Sequence, residues 1–286
     1  MSGFEVVGGT HYVLGEGPVW DEARGVVRWV DIEGGQVWEG LHEPRVVLRR
    51  EPTLGAAVHS ESGDLLLALR RDLEHVDASG DVAGTVPLVP PGVSSRLNDG
   101  KCDPAGRFVV GSMALDERRG QEKLWRLEHD GSVTVLDDDL SLSNGLGWSP
   151  DGATMYHVDT LPGMIWHRAY DPDTGAVGER HLLVAMGYAD GLSVDADGNL
   201  WVAVWGGGQI RVVSPQGVLL ECLDTGAPLT TSCAFTGPGL DQLVVTTADQ
   251  TVAGVPRTDR SGVLLTRRTD QRGLPATPWR PVALER

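Results

Sequence analysis

The chain has 286 residues, 41% of them hydrophobic and 22% charged, which is the composition of a soluble globular protein with length for one or two domains. Forty acidic against 24 basic residues leave a formal net charge of −16, which argues against nucleic acid or an anionic membrane surface as partner. Three cysteines (Cys102, Cys222, Cys233) cannot all pair and show no metal-binding spacing, so they read as buried thiols of a reducing compartment.

The stretch 1–17 lacks the basic segment and long apolar core of a signal peptide, and no apolar run approaches membrane-spanning length. The expectation is a cytoplasmic protein. Along the chain a turn ending in glycine, followed by a short apolar strand, recurs six times, at 21–31, 60–69, 103–113, 149–159, 195–205 and 236–248. The turn glycines are Gly25, Gly63, Gly106, Gly152, Gly198 and Gly239, with successive gaps of 38, 43, 46, 46 and 41 residues. A second alternating strand follows each of the first five, as at 34–40, 73–80, 124–131, 164–175 and 209–217, and a further one follows at 132–140 and 217–226.

Four strands per unit of about 40–50 residues is the pattern of a propeller blade. The chain therefore reads as all-β, a single six-bladed β-propeller over 1–286 with four-stranded antiparallel blades around a central channel. No long amphipathic pattern supports the helices that a parallel α/β fold needs. The strands at 4–7 and 262–266 are expected to pair and close the ring, removing exposed edges.

The repeat also locates the channel residues. Eight residues before each turn glycine stand Gly55, Asn98, Asn144, Asp190 and Thr231. In the first unit the DEARG turn reads one residue longer, and nine residues back stands Glu16. Equivalent positions of different blades converge on the axis, so Glu16, Asn98, Asn144 and Asp190 should be neighbours. Two carboxylates and two carboxamides form an oxygen-rich set suited to a hard cation. Asn and Asp before glycine are equally plain turn formers, as in Asn98-Asp99-Gly100, Asn144-Gly145 and Asp190-Gly191. Glu16, in GEGPVW, has no turn role, and burying it without a cation would be costly.

Asp99 falls out of this phase and reads as a turn residue or a neighbour of the site. Asp137–Asp139 reads as a solvated turn, Gly206–Gly208 as a hairpin between strands, and the tryptophans as packing between blades. His59 is a surface or core residue on this reading, and there is no G-x-S-x-G nucleophile motif.

The segments GEGPVW (15–20), RLNDGKCDPAGRF (96–108), SNGLGWSPDG (143–152) and ADGLSVDADGNLWVA (189–203) resemble those of the gluconolactonase / senescence-marker-protein (regucalcin) / luciferin-regenerating-enzyme family. TSCAF (231–235) and RGLPA (272–276) extend the resemblance over essentially the whole chain. It implies a six-bladed propeller with one divalent metal ion on its axis, Ca²⁺ first, with Mg²⁺, Mn²⁺ or Zn²⁺ also possible. It implies Glu16, Asn144 and Asp190 as metal ligands, and Arg96 and Asn98 as substrate contacts. A further substrate-binding carboxylate falls on Asp116, where the family has Glu, and Leu115 stands where a second acidic residue is usual. The loop 116–123 would lid the channel.

The expected activity is hydrolysis of a small lactone, most simply a sugar lactone such as gluconolactone. The metal would polarise the carbonyl, and Asp190 or a metal-bound hydroxide would activate water. Alternatives are a calcium-binding regulatory protein without obligatory turnover, a hydrolase of a non-sugar ester or phosphoester, and an interaction scaffold. The expected partner is a small lactone, with no nucleic acid or membrane, in a monomer or weak homo-oligomer.

Overall fold

The computed structural model describes residues 3–116 and 118–285. Their 24 strands form six four-stranded antiparallel sheets, each a blade of one propeller. The inner strands are Gly15–Asp21, Leu54–His59, Ser95–Cys102, Ser143–Trp148, Ala189–Val194 and Thr230–Thr236. In five blades the next three strands follow by hairpins in chain order. In the sixth, the outermost strand is Glu5–Val7, which pairs antiparallel with Leu264–Arg268 (Glu5 opposite Thr266) and joins the two chain ends.

The hairpins turn where the glycines predict. Gly63, Gly106, Gly152 and Gly198 take φ of +101°, +85°, +72° and +85°, a region open to glycine without a Cβ penalty. In the first blade the Gly25 N–H reaches four residues back to Asp21 O (2.8 Å), whereas the Gly63 N–H reaches three back to Ser60 O, so that turn is one residue longer. The sixth turn departs from expectation. Its left-handed residues are Gly237 and Leu240 rather than Gly239, because the turn closes from the Leu240 N–H to Gly237 O with Pro238 inside it. The aspartate opening two of these turns is a buried backbone acceptor: Asp103 takes the Ala105 and Arg107 N–H groups, both at 2.9 Å. Asp195 takes those of Asp197 and Asn199 at 3.0 and 2.8 Å.

The core lies between blades. Leu66, Ala68, Leu97, Phe108 and Trp125 share one buried cluster of the second and third blades. Between the fifth and sixth, Trp201 and Phe235 meet edge to face at 5.1 Å. The outer strands are wetter, which corrects two expectations. Cys222, on the outer strand Leu219–Asp224, is exposed, while Cys102 and Cys233 are buried. Asp137–Asp139 lies in the outer strand Val133–Leu140 and not in a turn; Asp137 pairs with Arg168, and Asp139 with Arg180 at 2.8 Å.

All six inner strands start at one mouth of the channel and end, with their turns, at the other. The closing segment crosses the second mouth. Its Gly273 N–H bonds Leu240 O (2.8 Å), its Trp279 N–H bonds His59 O (2.8 Å) and its Arg280 N–H bonds Gly106 O (3.0 Å), tying the sixth blade to the second and third.

Candidate active site

Every inner strand carries one extra residue near its start. Pairing with the second strand jumps from Leu97 to Gly100, from Ser143 to Leu146 and from Ala189 to Leu192, which leaves Asn98-Asp99, Asn144-Gly145 and Asp190-Gly191 as β-bulges. The break leaves out Gly55 in the second blade and Thr231 in the sixth. In the first it falls one residue later, at Gly17-Pro18, immediately after Glu16. A bulge bends the strand and re-aims its side chains, and here six bulges ring one level of the channel. The residues that read as turn formers are bulge formers.

The inner strands also crowd together at this level. A Cβ on Gly145 would stand 2.5 Å from Asp190 O, and one on Gly55 would stand 2.6 Å from Leu97 O, so only glycine fits at either place. Thr231 donates its hydroxyl to Gly15 O (2.6 Å), which ties the sixth blade to the first beside Glu16.

A polar chain runs through the convergent side chains. Arg96 Nη1 donates to Leu97 O (3.0 Å) and to Asn98 Oδ1 (2.6 Å). Asn98 Nδ2 donates to Ser143 O (2.9 Å) and Asn144 Oδ1 (3.0 Å). Asn144 Nδ2 donates to Thr160 Oγ1 (3.0 Å), whose hydroxyl donates to Ala189 O (2.7 Å), the residue before Asp190. Both amides are thereby fixed, and Asn144 keeps a lone pair on Oδ1 for a further partner. Thr160 was not foreseen: it follows the second strand of the fourth blade and only the fold brings it beside Asn144.

Glu16, Arg96, Asn98, Asn144 and Asp190 are all buried. Burial first, and then the Asp99 charge, push the Glu16 carboxyl up to about 8, against the Gly17 N–H and Arg96, which favour its ionised form. Burial, then Glu16 and Asp99, hold Asp190 well above the usual carboxylate range. Asp99 is raised by its own burial, with Lys101 opposing. Burial lowers Arg96, while Glu33, Glu16 and Asp190 favour its charge. Glu33, in the loop after the first blade's second strand, carried no sequence signal for this role.

The donor set fits a hard divalent cation. Asp190 Oδ1 is buried and has no hydrogen-bond partner among the described residues, an expensive arrangement for a carboxylate oxygen unless a cation meets it. Among the described residues Glu16 accepts only its neighbour's Gly17 N–H, at 2.9 Å. Asp99 is a further buried carboxylate whose charge acts on both Glu16 and Asp190.

Asp116 stands apart at the rim, with its side chain 46% exposed and 2.8 Å from Arg118. Arg118 also bonds Ser95 Oγ and Glu122 (2.8 Å), so the foreseen lid loop is pinned to the start of the third inner strand; its residue 117 lies outside the described residues. His59 is buried at the opposite mouth, 3.8 Å from Asp21 and far from this chemistry. A cavity of about 430 Å³ also opens at that mouth, between the ends of the inner strands and residues 274–277. Asp99 and Lys101 line it, and none of Glu16, Arg96, Asn98, Asn144 or Asp190 does.

Residues 14–249 match the family described as "SMP-30/Gluconolactonase/LRE-like region". The chain is 34% identical over 250 residues to regucalcin of Xenopus laevis, covering 83% of this chain and 84% of that one. It is also 34% identical over 244 residues to the pentonolactonase XacC of Haloferax volcanii, covering 82% and 81%. A solved structure of a calcium-binding protein, regucalcin, from Agrobacterium tumefaciens superimposes with a TM-score of 0.86 at 26% identity over 98% of both chains. The repeat, the bulge-borne polar cluster and these likenesses agree, and the chain belongs to the SMP-30/gluconolactonase/luciferin-regenerating-enzyme family.

Proposed function

We propose that this protein is a divalent-metal-dependent lactonase that opens the ring ester of a small sugar lactone. One observation carries the reading: Glu16, Asn144 and the unpartnered Asp190 oxygen gather at one channel mouth beside a positioned Arg96–Asn98 pair. Two carboxylates and an amide oxygen suit Ca²⁺, and accept Mg²⁺, Mn²⁺ or Zn²⁺. The printed description of the Agrobacterium relative as calcium-binding supports testing Ca²⁺ first, and the name of the Haloferax relative supports a sugar-lactone substrate.

A dication held there would polarise the lactone carbonyl and stabilise negative charge on its oxygen. The chain's own residues do the rest. Asp190 would take the proton of the attacking water on its carboxylate and return it to the ring oxygen as the acyl–ring-oxygen bond breaks. Arg96 has one Nη1 engaged by Leu97 O and Asn98 Oδ1, and its remaining N–H groups orient substrate hydroxyls. Asn98 links this reading edge to Asn144, and Asp116 at the rim meets the far end of the substrate. Burial of the set excludes bulk water other than the attacking molecule.

The test is a matrix of five- and six-membered aldonolactones against divalent ions on chelator-stripped protein. Activity lost on stripping and restored by one or more ions is the expected result. Tight metal binding with no lactone opened would instead favour a calcium-binding regulatory role, and absence of metal binding would overturn the reading.

A further inference from the structure

The two outer strands of the fourth blade, Met164–Ala169 and His181–Ala185, pair antiparallel with His167 directly opposite His181. Opposite residues of such a pair lie on one face of the sheet, so both imidazoles stand on the same side. Their ring centroids are 6.0 Å apart, with the planes inclined at 49°. The two residues are fourteen positions apart in sequence, and only the fold brings them together.

Three other histidines are already engaged: His11 with Ser261 O (3.0 Å), His75 with Asp64 (2.8 Å) and His157 with Ser143 Oγ (2.8 Å). Neither His167 nor His181 bonds a described residue, and they are half-buried and exposed respectively. Arg180, the neighbour of His181, is drawn to the other face. Its guanidinium lies 4.6 Å from the centre of the Trp166 ring and 2.8 Å from Asp139, and Trp166 alternates with His167 along its strand. No cation is therefore pinned against the imidazole pair.

Two free imidazoles at this spacing form a chelate. With metal–nitrogen bonds of about 2.0–2.1 Å, two imidazoles on one ion have centroids about 4.5–6 Å apart. The observed 6.0 Å closes to that range by a small turn of the exposed His181 side chain. Imidazole nitrogen suits Zn²⁺, Ni²⁺ and Cu²⁺ and is a poor donor for Ca²⁺ or Mg²⁺. The channel donors, which are all oxygens, have the opposite preference.

We propose that His167 and His181 form a second metal site, on the outer part of the fourth blade, that takes a borderline transition-metal dication such as Zn²⁺ or Cu²⁺. Two protein nitrogens hold the ion, and the remaining positions go to water. The second imidazole binds intramolecularly, which adds about a hundredfold over either ring alone. The ion clamps the outermost strand of the blade to its neighbour. This site is independent of the lactonase reading, because neither residue belongs to the channel cluster.

The test uses the full chain stripped of metal and then saturated with Ca²⁺, with Zn²⁺ as probe in titration calorimetry. The wild type should bind one Zn²⁺ that His167→Ala and His181→Ala each weaken by about ten- to a hundredfold. The double variant should be little worse than either single one, as expected of two ligands on one ion. Cu²⁺ should bind the same site at least about tenfold tighter than Zn²⁺. His181→Asn serves if the alanine variant does not fold. Substoichiometric Cu²⁺ should broaden the His167 and His181 ring proton resonances together, before those of any other histidine. Ca²⁺ affinity and lactone turnover should be unchanged in every variant.

Zn²⁺ binding within about threefold of the wild type in either single variant overturns the site, as does a wild type whose Cu²⁺ broadening begins at another histidine. Loss of the Zn²⁺ site in these variants supports it whether or not the protein opens a lactone, so failure of the lactonase reading leaves the outer site standing.

Discussion

Asn98 Nδ2 lies 3.0 Å from Asn144 Oδ1, so an amide of the third blade sets the orientation of a proposed metal ligand in the fourth. The bond makes Asn98 more than a substrate contact. Removing a partner that orients a metal ligand commonly costs ten- to a hundredfold in affinity. Asn98→Ala should therefore weaken Ca²⁺ binding about tenfold in calorimetry, besides raising KM. An Asn98→Ala protein with wild-type Ca²⁺ affinity and only a raised KM would show that Asn144 is held well enough by Thr160 alone.

Asp190 has the larger effect, because the reading gives it two roles. Asp190→Ala removes both a ligand and the proton acceptor, and turnover should fall below detection with Ca²⁺ binding weakened. Asp190→Asn separates the two, since the amide keeps a ligand oxygen of the same reach but cannot take a proton. Its kcat should drop by about 10²–10⁴ even at Ca²⁺ concentrations that saturate it. Retention of full activity in Asp190→Asn would sink the assignment of the base.

Much of this site was legible from the repeat. Glu16, Asn98, Asn144 and Asp190 each stand five residues before the residue that opens their blade's turn, and turn chemistry is what sequence shows best. The lengthened first turn could be read too, because DEARG inserts one residue between Asp21 and Gly25. The bulges could not, since Asn-Gly and Asp-Gly are as common in turns as in breaks of pairing. Asp99 illustrates the consequence: strict alternation puts it out of phase, but the bulge leaves both Asn98 and Asp99 unpaired, and its charge reaches Glu16 and Asp190. Cys222 and Asp137 were misplaced for another reason. Outer strands alternate weakly, and only the neighbouring blade decides which of their side chains meet solvent or an arginine.

The carboxylate pair also predicts how the metal-free protein responds to pH. Glu16 sits at about 8 in the fold against an ordinary 4.5, and Asp190 is displaced in the same direction. Between those values the native state holds a proton that the unfolded chain has lost, so stability falls as pH rises through the window and levels off above it. Chelator-stripped protein should have a lower Tm at pH 8 than at pH 5. Saturating Ca²⁺ should raise Tm more at pH 8 than at pH 5, because binding at the lower pH must first displace protons. Calorimetry in buffers of different ionisation enthalpy should register that proton release. A stripped protein whose Tm climbs from pH 5 to pH 8 would show that the pair is not protonated in the fold.

Gly145 offers a test of the architecture and the site together. It is the second bulge residue of the fourth blade, and a Cβ there would stand 2.5 Å from Asp190 O and 2.8 Å from Leu192 N. Both are backbone atoms of the next inner strand, so no side chain can turn aside to relieve the clash, and the two blades must separate at the channel wall. Gly145→Ala should therefore destabilise the fold by about 1–3 kcal/mol, the range of overpacking changes, read as a shift of the denaturation midpoint. The displaced strand is the one that carries Asp190, so Ca²⁺ affinity should fall as well. A Gly147→Ala control meets only the Leu192 and Val194 side chains, which can repack, and should lose stability with much less effect on Ca²⁺ affinity. Equal losses of Ca²⁺ affinity in the two variants would mean that the approach of the fourth and fifth blades does not place Asp190.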